Sequence, residues 1–132
     1  MATATIESTT ARTGTRDGVT AALSGWLMLG LLVDGYMHNA RGEQLESFFT
    51  PWHGLLYSGF LATAVWILLP LQAARGPVRE RLATLDPGYA LGAVGAVVFA
   101  VGGLADAVWH SLFGIEVDLE ALISPPHLVL LA

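Results

Sequence analysis

Two short stretches of this chain hold all of its histidines and its only acids within apolar runs. The first, Asp34–His53, reads DGYMHNARGEQLESFFTPWH. Asp34 and His38 stand four residues apart, and His53 opens the next apolar run. The second, Asp106–His127, reads DAVWHSLFGIEVDLEALISPPH and repeats the arrangement with Asp106, His110 and His127. Residues four apart on a helix share a face, so each acid and its neighbouring histidine aim at one point. A histidine in the first turn of the returning helix can approach the same point from across a hairpin. Two imidazoles and one carboxylate form a common ligand set for non-haem iron, and they also suit zinc or copper. Glu46 and Glu120 are candidates for further ligands, or for partners that orient a histidine.

The two stretches align. Asp34 matches Asp106, His38 matches His110 and Gly42 matches Gly114. After a two-residue insertion, Glu46 matches Glu120, Thr50 matches Ser124, Pro51 matches Pro125 and His53 matches His127. The shared pattern is D-x-x-x-H-x-x-x-G followed by E-x-x-x-[ST]-P-x-H. Each copy joins an outgoing apolar segment to a returning one. The expected architecture is therefore two tandem helical hairpins, a parallel repeat over residues 18–74 and 87–132 about an axis along the membrane normal.

The segments that must position these residues are membrane helices by composition. Of 132 residues, 54% are hydrophobic and only 13% charged, about half the charge of an ordinary soluble domain, roughly 25%. The fold class expected is all-α, an integral membrane helical bundle. Four segments are read: 18–38, 51–74, 87–112 and 124–132. The first three are long enough for a hydrocarbon core of about 30 Å at about 1.5 Å per residue. The fourth stops short of a span, which predicts an incomplete helix and a longer parent protein. Thr50-Pro51, Asp86-Pro87 and Ser124-Pro125 are helix-start signals, a capping side chain followed by a proline that needs no N–H. Pro70 is placed to kink the end of the second segment. Gly88, Gly92, Ala96 and Ala100 form a ladder at four-residue spacing that would let helices approach closely.

Residues 1–17, rich in Thr and Ala and without apolar periodicity, are read as a mobile tail. Arg12 and Arg16 before an uninterrupted apolar run read as a signal anchor rather than a cleaved signal peptide. Arg12, Arg16, Arg75, Arg79 and Arg81 fall on one side of the helices and Arg41 on the other. The positive-inside rule then places the N-terminus in the cytoplasm and both Asp/His stretches at the outer face of a multi-pass plasma-membrane protein. The lipid bilayer is the first partner, with other membrane subunits expected beside it. A net charge of −5 and the lack of a basic stripe argue against nucleic acid. With no cysteine, thiolate metal sites and disulfides are excluded.

The form D-A-x-W-H followed by [ST]-P-x-H, at Asp106–His127, resembles the C subunit of the copper membrane monooxygenases, the particulate methane and ammonia monooxygenases. The resemblance implies copper as the favoured metal and a ligand role for Asp106, His110 and His127. Through the internal repeat it extends that role to Asp34, His38 and His53. The two histidines stand further apart here than in that family, its nearby Asn has no counterpart, and the likeness is confined to this one motif. Two other readings follow from the residues themselves. Acids and histidines in a bundle can form a proton or ion path, which would need polar residues deeper than Thr20, Ser24, Ser58 and Thr63. Alternatively, each Asp–His pair can be a plain lock between helices. Trp52, Trp109, Tyr36 and Tyr57 are assigned to interface anchoring.

Overall fold

A computed structural model describes residues 2–41, 49–114 and 123–130, and among them every regular element is helical, with no strand. In chain order these are α1 (Ala2–Arg41), α2 (Pro51–Leu68), a 3₁₀ turn (Leu69–Gln72), α3 (Val78–Leu82), α4 (Pro87–Phe113) and α5 (Pro125–Leu130). Three apolar stretches are long enough to cross a membrane: Gly14–Ala40, Pro51–Gln72 and Pro87–Phe113.

The helix starts follow the sequence signals. Thr50 is extended (φ −112°, ψ 158°), and its Oγ1 accepts a hydrogen bond from the His53 backbone N–H at 3.2 Å, with Pro51 in the first turn. Asp86 precedes Pro87 in the same way but makes no capping side-chain bond. Residues 2–17 are helical and continuous with the first span, and three other expectations are corrected. Nothing in 2–13 breaks a helix, and extending an existing helix costs far less than nucleating one. Helix two does not run to residue 74, because Pro70 lacks the N–H that an α-turn requires, and the chain tightens into a 3₁₀ turn after Leu68. The connection also holds a short helix, α3, that the polar sequence did not signal; Arg81 from its end donates two hydrogen bonds to the Leu71 carbonyl, one from Nε at 2.8 Å and one from Nη2.

The third correction concerns close packing. A Cβ on Gly88 would meet nothing within 4 Å, and one on Gly92 would only touch Ile67 at 3.4 Å. The close approaches are elsewhere. A Cβ on Gly30 would fall 2.6 Å from the Leu56 backbone, and one on Gly59 would fall 2.9 Å from the Leu27 backbone. Thus α1 and α2 meet backbone to backbone through glycines on both sides, a device that small residues permit between membrane helices.

At one end of the bundle a polar network joins α1, α2 and α4. Trp66 donates through Nε1 to Thr20 Oγ1 at 3.0 Å, Thr20 Oγ1 lies 3.0 Å from the Tyr89 hydroxyl, and Tyr89 donates to Asp17 at 2.7 Å. The Arg16 guanidinium sits 3.8 Å from the centre of the Tyr89 ring, a cation–π geometry. This end gathers the beginning of α1's apolar stretch, the end of α2 and the beginning of α4. The Asp/His residues lie toward the opposite ends of the same helices.

Candidate metal centre

Two turns of α1 carry the first acid and histidine, and the Thr50 cap delivers the second histidine from α2. Asp34 Oδ1 lies 3.2 Å from His53 Nε2, and Asp34 Oδ2 lies 3.8 Å from His38 Nε2. The two Nε2 atoms of His38 and His53 are 3.1 Å apart, with ring planes inclined by 54°. His53 is buried, at 7% exposure. Tyr57, one turn beyond His53 on α2, stacks against its ring at a centroid distance of 5.7 Å and an angle of 13°.

The second group is built the same way from α4 and α5. Asp106 Oδ1 lies 3.3 Å from His110 Nε2 and 3.7 Å from His127 Nδ1. His110 Nδ1 is 3.0 Å from the Gly114 carbonyl oxygen. A carbonyl can only accept, so Nδ1 is the donor of this pair; in the neutral ring that leaves the Nε2 lone pair toward Asp106. Gly114 provides this carbonyl from a left-handed backbone conformation (φ 84°), which favours glycine. Ser124 Oγ is 2.6 Å from His127 Nδ1 and fixes that ring.

In each group three ligand atoms of the Asp, His, His set lie within 4.8 Å of one another. A cation bound at about 2.0–2.1 Å by tetrahedrally disposed ligands would hold them about 3.3 Å apart. The observed separations of 3.1, 3.2 and 3.8 Å in one group bracket that value. Those of 3.3 and 3.7 Å in the other lie at that value and somewhat above it. The hydrogen-bond pattern points the same way. Asp34 Oδ1 and Asp106 Oδ1 are both buried, yet neither has a hydrogen-bond partner among the described residues. A buried carboxylate oxygen without a donor is costly. One that faces imidazole nitrogens at ligand spacing is satisfied by a cation placed between them.

All six sequence-selected ligand residues are therefore brought together, three and three. Glu46 and Glu120 lie outside the described residues. Sequence reading missed the part of Tyr57, whose signal was its spacing four residues after His53. It also missed the orienting contacts of Gly114 and Ser124, although both stood in the repeated pattern. Apolar residues line a recess of about 240 Å³ lower in the bundle, between Leu27 of α1, Phe60 and Ile67 of α2, and Gly92 and Phe99 of α4. No protein family, curated protein or solved structure matches this chain.

Proposed function

We propose that this chain is a multi-pass membrane protein that binds transition metal through two Asp/His/His groups at the outer membrane face, as a subunit of a membrane oxidoreductase. The observation that carries the reading is the His110–Asp106 contact. A ring whose Nδ1 donates to Gly114 turns its Nε2 to a carboxylate oxygen 3.3 Å away. In the neutral ring two lone pairs face each other there, and a cation between them would resolve the repulsion. Copper is the favoured ion. Nitrogen and oxygen donors bind Cu(II) most tightly among the divalent first-row metals, above both zinc and iron. The copper-subunit likeness at Asp106–His127 adds to that preference.

The same observations weigh against the other readings. A lock of plain hydrogen bonds would give Asp34 Oδ1 and Asp106 Oδ1 donors, and among the described residues neither has one. An ion path needs polar groups below the acids, but the Ser58 and Thr63 hydroxyls are turned to the carbonyls of their own helix, Leu55 at 3.0 Å and Gly59 at 2.8 Å. The membrane assignment rests on outward apolar surface. Within the most apolar window of each long helix only 6%, 28% and 11% of residues are buried inside the bundle. Side chains such as Leu32, Leu91 and Leu104, exposed at 64%, 74% and 70%, require lipid. Elemental analysis of the full chain purified in detergent tests the metal reading. One or two copper, zinc or iron ions per chain are expected, lost in the double variant His38→Ala, His110→Ala. Metal-free protein whose thermal stability is unchanged by chelator would overturn it.

A further inference from the structure

The register between α2 and α4, continued along the helices, runs to the two Asp/His/His groups. Ile67 of α2 packs where a Cβ on Gly92 of α4 would touch it at 3.4 Å. Seven residues along each helix, Phe60 stacks on Phe99 with ring centroids 4.8 Å apart. The helices are antiparallel, so positions descend along α2 as they ascend along α4. Seven residues are close to two full turns and return to nearly the same face. The next step of this ladder pairs His53 of the first group with Asp106 of the second, each about 10 Å beyond the Phe60–Phe99 stack.

The charges agree with that register. Asp34 lies within Coulombic reach of Asp106 and His127, and His38 lies within reach of His110 and His127. Tyr57, stacked on His53, lies within reach of both Asp34 and Asp106. Two carboxylates held near each other in a shielded setting repel. One divalent cation beside each replaces that repulsion with attraction.

We propose that the two groups constitute one two-metal centre, shared between the α1–α2 and α4–α5 hairpins, in which the bound ions interact directly. This rests on the metal-binding reading and adds to it the mutual placement of the ions. Each ion has its own Asp and two histidines, so neither group needs the other's side chains to bind. What the pairing adds is a site where two ions act on one bound molecule, the arrangement of enzymes that use two metals together.

The test is titration of the metal-free full chain, in detergent or nanodiscs, with Cu(II) sulfate, followed by metal analysis and low-temperature electron paramagnetic resonance. Two coppers per chain are expected, with a spectrum broadened by spin coupling or integrating to fewer than two spins. The variant His110→Ala, His127→Ala is expected to keep one copper and show a resolved mononuclear spectrum, and Asp106→Asn serves if that variant does not fold. Two coppers giving a resolved spectrum of full two-spin intensity would overturn the pairing and leave metal binding standing. A single copper held by wild-type protein would also overturn it. No bound copper, zinc or iron would overturn both the pairing and the reading beneath it.

Discussion

His110 is fixed at Nδ1 by the Gly114 carbonyl and faces Asp106 with Nε2. His127 is held by Ser124 at the nitrogen that faces Asp106. The equivalent positions in the first group behave differently, for Thr50 caps the backbone of α2 while His53 turns Nε2 inward. Partners that orient a metal-binding histidine typically contribute about 10–100-fold in metal affinity. Ser124, by contrast, occupies the His127 nitrogen that faces Asp106 and must give way to an ion there, so Ser124→Ala is expected to strengthen copper at the second group while leaving the number of bound ions unchanged, as competition with a chelator of known affinity would show. The ligands were legible in sequence because the four-residue spacing of Asp and His depends only on helix geometry. The work of Ser124 was not. A serine before a proline reads as a helix start, and whether its hydroxyl turns to the backbone or to a side chain is decided by the neighbouring ring. Tyr57 was read as an interface anchor for a similar reason, since only the packed hairpin puts it against His53.

Among the helices, α1 and α2 set the geometry of the first group. Their contact at Gly30 and Gly59 leaves no room for a side chain, since any Cβ would meet backbone atoms under 3.0 Å away. Gly30→Val must push the axes apart and carry Asp34 and His38 away from His53. Overpacking of this kind costs about 1–3 kcal/mol. A lower unfolding temperature in detergent is expected, with copper lost from the first group and kept by the second; retention of both ions would show that the close approach does not position the site. The helix starts were readable because Thr50-Pro51 and Asp86-Pro87 act through local backbone chemistry. Helix ends were less so. Pro70 marked a disturbance, but a 3₁₀ turn in place of a kinked α-helix depends on how the next loop satisfies the freed carbonyls, here through Arg81 and Leu71. The glycine ladder on α4 was misjudged because spacing shows which residues share a face, and not which face meets another helix.

For the molecule as a whole, the two ends of the bundle differ in chemistry. One carries the Arg16, Asp17, Thr20, Trp66 and Tyr89 network, and the other carries the six ligands. By the positive-inside rule, the first end is the one expected in the cytoplasm. The chain has no cysteine, so single introduced thiols report topology directly. Phe49→Cys, at a site 92% exposed beside the first group, is expected to react with a membrane-impermeant maleimide on intact cells. Arg79→Cys, in the exposed connection between α2 and α4, is expected to react only after permeabilisation. The opposite pattern would invert the orientation and put the ligands in the cytoplasm. At this scale the sequence carried the helical class, through apolar runs broken by few charges. It did not carry the register between hairpins, which arises from ring and glycine contacts such as Phe60 with Phe99.

Each ligand trio lies within a single hairpin, closed by residues near one another along the chain. A ribosome adds roughly 5–20 residues per second, so the first trio is complete several seconds before His127 is made. The first pocket does not wait for the second to exist. On the metal-binding proposal, the later one is assembled beside a neighbour already able to hold its ion, and its own cation would enter against that positive charge. The direction of synthesis would then set an order of filling on two sites that look alike on paper.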